Sequence, residues 1–191
     1  MSEAVSNVTG QSALPEVTAG TYVIDPVHSW VGFSVRHLMS RVRGRFTEFA
    51  GEIVVGETTE TSSVTATIEL SSVDTGNEMR DNHLRTKDFF DIDETPRMTF
   101  SSTTIRADGD SWVLIGDLTI RDVTKAVELQ LEFLGVDPTG LQGEQRIGFD
   151  AKTSITRGEF GVSFGLPIEG SKIVIGDKVD IHLEIEAALS E

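Results

Sequence analysis

The chain contains no cysteine, which excludes disulfide bonds, thiolate metal ligands and a cysteine nucleophile. Its four histidines are far apart in the sequence, and no two of them have the i, i+2 or i, i+4 spacing that is typical of zinc ligands. It also lacks a phosphate-binding glycine loop and a zinc-protease motif. We therefore predict that the protein is not an enzyme and has no catalytic residue, no metal site and no cofactor.

Long apolar runs are missing as well, and none approaches the roughly 20 residues that a transmembrane helix needs. The first residues contain no Lys or Arg before an apolar core, and Glu3 and Glu16 interrupt them, so they do not read as a signal peptide. We predict a polar, poorly ordered N-terminal tail over residues 1–19. We also expect a soluble, cytoplasmic protein without stable membrane insertion.

Positive charge is scarce, and the net charge is −15. Such a surface repels nucleic acid and anionic headgroups, so we predict no nucleic-acid partner. Residues 26–47 are a local exception, because they contain no acid and four arginines. We favour the interpretation that these arginines pair with acids on neighbouring strands; the alternative is an anion contact at a barrel mouth.

What the chain does have is alternation of apolar and polar residues with period two, which is typical of strands with one buried face. The clearest predicted strands are 63–70, 127–134, 147–155 and 179–187, and weaker ones are 21–24, 29–37, 44–55, 98–105 and 112–120. Gly51 suggests a bulge or bend in the longest of these. Eight or nine closely spaced strands favour an all-β barrel or sandwich. The alternation does not decide whether the interior is filled or hollow.

One segment, residues 77–87, breaks this pattern and reads as a short inserted helix. Asn77 is a good N-cap, and Glu78 and Asp81 near the start favour the helix dipole. Residues 156–160 could form a second, single turn.

Three sequence blocks carry a resemblance: DPVHSWVGFSVRHL at 25–38 with VRGRF at 42–46, NEMRDNHLRTKDFFD at 77–91, and GDLTIRDVTK at 116–125 with RGEFG at 157–161 and GDKV at 176–179. Together they resemble the YceI-like family of polyisoprenoid-binding, lipocalin-like proteins, with small departures at Asp122 and Glu159. The resemblance implies an extended eight-stranded antiparallel barrel over residues 20–188, with a C-terminal tail at 189–191.

The resemblance also implies a function, namely binding and sequestration or transport of a long-chain lipid in an apolar pore. A polyprenyl chain, an isoprenoid quinone and a fatty-acid-type lipid are the expected ligands, and a homodimer is expected. Burial of an alkyl chain is favourable by about 0.8 kcal/mol per CH₂, so an apolar tube needs few polar contacts. The alternatives are a barrel with a filled or occluded interior that acts through protein–protein contacts and, less favoured, a His-assisted enzyme or quinone redox partner.

Candidate site residues fall into two sets. Those expected to line the pore, with ordinary core as the alternative, are Val31, Phe33, Val35, Val64, Ile68, Leu129, Leu131, Phe149, Ile181 and Leu183. Those expected at its polar end are Arg36, His37, Asp81, His83 and Arg85. For Asn77, Arg80, Asp81 and Asp88 we favour a structural network that holds the helix on the barrel. Phe89 and Phe90 are interpreted as plugging the barrel's end or covering the helix rather than binding ligand.

Overall fold

The computed structural model describes residue 14 and residues 16–165 and 174–190. The predicted N-terminal tail therefore lies largely outside the described residues, as does residue 191 of the predicted C-terminal tail. The described part contains one α-helix, α1 (Glu78–Arg85), and short 3₁₀ turns at Thr59–Thr61, Leu70–Ser72 and Arg157–Phe160. Its strands are β1 (Gly20–Ile24), β2 (Trp30–His37), β3 (Ser40–Phe46), β4 (Phe49–Val55), β5 (Ser63–Glu69), β6 (Val73–Asp74), β7 (Arg97–Asp108), β8 (Ser111–Ile120), β9 (Val123–Asp137), β10 (Arg146–Thr156) and β11 (Ile175–Leu189).

The strands form one closed antiparallel barrel. The ring runs β1-β4-β5-β7-β8-β9-β10-β11 and closes because β11 also pairs with β1. The first half of β11 pairs with β2, which pairs with β3, and β3 pairs with β6. Strands β2, β3 and β6 thus extend the wall beyond the ring at one end. The predicted eight-stranded antiparallel barrel with a single short helix is confirmed.

The predicted strand over 44–55 is in fact two strands. The break lies at Thr47 and Glu48, whose backbone N–H groups donate to the hydroxyl of the buried Ser72 at 3.1 and 3.0 Å. These bonds replace strand pairing and let the chain bend without leaving buried donors unsatisfied. The first half of β3 was not predicted as a strand. Its alternation is hard to recognise because Val42 is its one inward-facing apolar residue, between the outward-facing Arg41 and Arg43.

Of the bulge or bend predicted at Gly51, the bulge is wrong, because β4 pairs with β5 through Gly51 without a register shift. The glycine serves a close approach instead. A Cβ there would lie 2.5 Å from the Thr65 carbonyl oxygen and 2.8 Å from Cδ1 of Ile24. Both contacts are shorter than packed atoms tolerate, so the wall at this point has room only for a hydrogen atom.

We expect Gly51→Ala to lower the free energy of unfolding by about 1–3 kcal/mol, since the added methyl group must push two neighbours apart. Gly148→Ala is the matched control. It also lies inside a strand, but its added Cβ would meet nothing closer than Leu134 Cβ at 3.6 Å. Urea denaturation of both variants measures the difference. Equal stabilities would contradict the close-approach explanation.

Helix α1 begins as predicted, with the Asn77 side chain accepting a hydrogen bond from the Arg80 N–H at 3.0 Å. It ends earlier than predicted, because the Thr86 N–H and hydroxyl both donate to the His83 carbonyl. The 3₁₀ turn Arg157–Phe160 matches the predicted single turn.

The two ends of the barrel are built differently. At the end we call the helix end, Leu84 and Phe90 pack on the inside of β3 and β6, and Phe89 packs on the end of β8 and the turn at Arg157–Phe160. At the opposite end the core contains Val17, which belongs to the predicted polar tail and is buried beside Tyr22. The amide of Gln145 holds this stretch by accepting from the Thr18 N–H at 2.7 Å and from the Tyr22 hydroxyl at 2.5 Å.

Candidate ligand-binding cavity

The barrel encloses a cavity of about 770 Å³. This volume lies within the range of about 300–1,000 Å³ that is usual for small-molecule sites. The wall extends from Leu14 and Val55 at the opposite end to His37 and Met79 at the helix end. The interior is therefore hollow over most of its length, which disagrees with the alternative of a filled barrel.

All ten predicted pore residues lie on this wall. Their positions follow from strand alternation, since they occupy the inward-facing positions of β2, β5, β9, β10 and β11. Whether they contact a lipid stays a prediction.

The predicted polar end is brought together only in part. His37 and His83 lie on the cavity wall, whereas Arg36, Asp81 and Arg85 do not. Arg36 donates from Nε to the Leu38 carbonyl at 3.0 Å on the outer surface.

Asp81 has the contacts of the favoured structural network, and Arg85, which was not part of that prediction, makes similar ones. Asp81 is buried, and its Oδ1 accepts from the N–H and the hydroxyl of Thr75 at 3.0 and 2.5 Å. Arg85 donates to the carbonyls of Ser71 and Val73 at 2.8 and 3.0 Å. These bonds fix the helix to the chain segment that precedes it.

Two arginines on the wall were not among the predicted ligand-binding residues. Arg80 donates from Nε to the Thr75 hydroxyl at 2.7 Å and from Nη2 to the Thr75 carbonyl at 2.9 Å. Helical spacing could have predicted that Arg80 lines the cavity, because it places Arg80 on the same face of α1 as His83 and Leu84. All three residues line the cavity. The second is Arg157, for which the sequence offered only its place in a family block.

Arg157 is buried at the helix end and donates to four backbone carbonyls. The acceptors are Gly176 at 2.8 Å, Val162 at 2.9 Å, Phe164 at 2.8 Å and Ile175 at 3.3 Å. Burial lowers the pKa of the guanidinium from its ordinary value, and the charge of Asp177 acts in the opposite direction. An arginine so held stays charged and ties the turn after β10 to the start of β11.

An aromatic cluster surrounds the cavity at the same end. The ring of Phe164 lies 5.0 Å from that of His83 and 5.1 Å from that of Phe89, between centroids. Phe164 and Met79 line the cavity, yet they are 43% and 84% exposed. The cavity therefore reaches the surface beside them, and the predicted plug residues Phe89 and Phe90 form its inner wall rather than sealing it.

Comparison with known proteins agrees with this geometry. The YceI-like domain matches residues 22–187, which is nearly the whole barrel. The chain belongs to the YceI-like family. A UPF0312 protein of Staphylococcus epidermidis is 36% identical over 168 residues, covering 86% of this chain and 95% of the relative. A UPF0312 protein of Staphylococcus aureus is 34% identical over 173 residues, covering 89% of this chain and 98% of the relative.

Solved structures share the fold. The YCEI protein of Campylobacter jejuni superposes with a TM-score of 0.70 at 32% identity, over 82% of this chain and 90% of the other. BcnA of Burkholderia cenocepacia superposes with a TM-score of 0.74 at 23% identity, over 86% of this chain and 99% of BcnA. A polyisoprenoid binding domain from Saccharophagus degradans superposes with a TM-score of 0.68 at 18% identity, over 91% of this chain and 100% of that domain. At the two lower identities the likeness concerns the fold alone.

Three of the four histidines of this YceI-like protein pair with carboxylates at separate places. His83 pairs with Asp88 at 2.9 Å, His28 with Asp25 at 2.9 Å, and His182 with Asp150 at 2.5 Å. Glu186 lies beside the His28–Asp25 pair, and Glu184 lies beside the His182–Asp150 pair. Neither group is on the cavity wall.

The group at Asp25 is already neutralised. Arg146 donates to Asp25 at 3.0 Å and to Glu186, so a cation fills the position between the carboxylates. Hydrogen bonding, first of all to His28, lowers the pKa of Asp25 to about 2. The arrangement is an ion-pair network that links β10, β11 and the turn after β1.

The sequence contains one further motif, Gly-Val-Ser-Phe-Gly at 161–165, which matches the Gly-x-Ser-x-Gly pattern of hydrolases. In hydrolases this pattern needs a strand, a sharp turn and a helix. In the YceI-like protein it follows a 3₁₀ turn, and within the described part of the chain Ser163 has no histidine partner. The match therefore does not indicate a nucleophile.

None of the helices in the described part of the chain has the length and apolar character needed to cross a bilayer.

Proposed function

We propose that this YceI-like protein binds a long-chain isoprenoid or a related amphiphilic lipid in the barrel cavity and sequesters or carries it. The observation that carries the proposal is the cavity itself, about 770 Å³ in volume and apolar along most of its wall. A hollow of this kind costs packing energy unless something fills it. A flexible chain fills it best, because each CH₂ removed from water contributes about 0.8 kcal/mol.

Family membership supports the same ligand class. The structural neighbour from Saccharophagus degradans is described as a polyisoprenoid binding domain. Within that class we propose a polyprenyl chain, an isoprenoid quinone or a fatty-acid-type lipid. A homodimer and a cytoplasmic location stay predictions.

Binding without turnover fits the wall better than catalysis does. A hydrolytic site needs a nucleophile and a base within hydrogen-bonding distance. The wall serines, Ser62 and Ser63, lie at the opposite end from His37 and His83. We therefore propose a carrier or buffer of lipid rather than an enzyme.

Organic extraction of the purified protein, followed by mass spectrometry, tests this function. We expect about one lipid per chain with a long apolar tail, and native mass spectrometry of the same sample should show the corresponding mass increase. A lipid-free protein is then offered geranylgeraniol, a long-chain quinone and hexadecanoic acid. Absence of extracted lipid together with failure to bind all three would refute the proposal.

A further inference from the structure

The charge of the cavity wall is opposite to that of the protein. The chain has 31 acidic residues and a net charge of −15. Yet among the described residues that form the wall, none is Asp or Glu. The ionisable side chains on it are Arg80, Arg157, His37 and His83, and all four lie at the helix end.

Neither wall arginine has an ion-pair partner among the described residues. The bonds of Arg80 go to the hydroxyl and carbonyl of Thr75, and those of Arg157 go to carbonyls. Arg80 therefore keeps the two N–H groups of Nη1 for another acceptor.

Three carboxylates lie near these side chains, and each already accepts a hydrogen bond. Asp81 accepts from Thr75, and Asp88 accepts from His83. Asp177 accepts from the Gly158 N–H at 2.8 Å. These acids hold the surrounding backbone and side chains in place but do not line the cavity, so its mouth presents positive charge.

We propose that the ligand carries an anionic headgroup, a carboxylate or a phosphate, which binds at the helix end beside Arg80 while its tail extends into the barrel. This inference rests on the proposed function and adds the headgroup class to it. In a cleft with low-dielectric walls, charge of one sign attracts the opposite charge more strongly than it does in water. A guanidinium with free N–H groups binds carboxylate and phosphate oxygens through charge-assisted hydrogen bonds.

Three probes with identical tails test the headgroup. They are geranylgeranyl phosphate, geranylgeraniol and geranylgeranylamine, with negative, neutral and positive heads. We expect delipidated protein to bind the phosphate about 10–100-fold more tightly than the alcohol at low salt, and the amine least tightly. The preference should shrink as salt is raised, because ions screen charges near the surface.

The variants Arg80→Gln and Arg80→Lys assign the preference to this side chain. The glutamine variant should lose most of the discrimination between phosphate and alcohol while still binding the alcohol. The lysine variant should keep much of it. Arg106→Gln is the control, since it removes the same charge from an exposed position on the outer face, where Arg106 lies 3.8 Å from Glu128. Circular dichroism verifies that each variant is folded.

The outcomes separate the two proposals. Equal affinity for the three heads, or discrimination that survives in Arg80→Gln, overturns the anionic headgroup site and leaves lipid binding standing. Failure of all three probes, and of the lipids named above, overturns lipid binding itself. Hexadecanoic acid measured against hexadecanol extends the series, and a preference for the acid identifies carboxylates as accepted heads as well as phosphates.

Discussion

Replacing Arg157 by methionine is expected to lower the free energy of unfolding by about 3–5 kcal/mol. Methionine fills much of the same space but donates no hydrogen bond. The four carbonyls of Val162, Phe164, Ile175 and Gly176 would then lose a donor they now share. Because the arginine is buried, water can replace these bonds only if the turn opens.

Urea denaturation with matched variants measures this effect. Arg106→Met removes an arginine whose side chain is 51% exposed and should change stability by no more than about 0.5 kcal/mol. Arg157→Lys keeps the charge but cannot reach all four acceptors, so it should fall between wild type and methionine. A loss below about 1 kcal/mol in Arg157→Met would show that the carbonyls find other donors.

Substituting Ala151 by tryptophan is expected to weaken lipid binding by about 100-fold, provided that the cavity is the binding site. Ala151 is 3% exposed and lies on the cavity wall between Leu131 and Leu183, its partners on the adjacent strands. An indole projecting inward would displace three or four methylene groups of a bound chain, which costs about 2.5–3 kcal/mol. Because Ala151 also packs beside Leu114 and Leu129, circular dichroism is needed to verify that the variant is folded.

Titration with geranylgeraniol and extraction of co-purified lipid both measure this loss. Gln130→Trp is the control, because Gln130 is exposed on β9 and close to Ala151 in the sheet, but faces outward. Ala66→Phe, on the opposite side of the barrel, should act in the same direction as Ala151→Trp. If both inward variants bind lipid as wild type does, the tail lies elsewhere.

The wall of the barrel could be predicted from the sequence because alternation is local. Val31, Phe33 and Val35 face inward since successive strand residues point to opposite faces. The same rule places His37 on the cavity wall and Arg36 on the outer surface, as the structure has them. Alternation predicts a face but not a void, and only the packed barrel shows that these side chains leave space between them.

Features that join distant segments could not be read from local pattern. Arg157 acquires its environment from residues up to 19 positions away, which no periodicity brings together. The bend at Thr47 depends on Ser72, which approaches it only after β5 has folded back. On α1, spacing separates the face with Arg80 and His83 from the face with Asp81 and Arg85, but the barrel decides which face meets the cavity.

The closure of the ring has a consequence for folding kinetics. Strand β1 pairs with β11 through contacts such as Tyr22 with Leu189. The edge of β1 that does not pair with β4 is therefore covered only by the last strand of the chain. Contacts between residues so far apart in the chain form slowly, because a long loop must close before they contribute. Until β11 is in place, β1 and β10 each lack one of their two neighbours in the ring. Unpaired strand edges promote aggregation, so we expect the chain to be most prone to aggregate before β11 has paired.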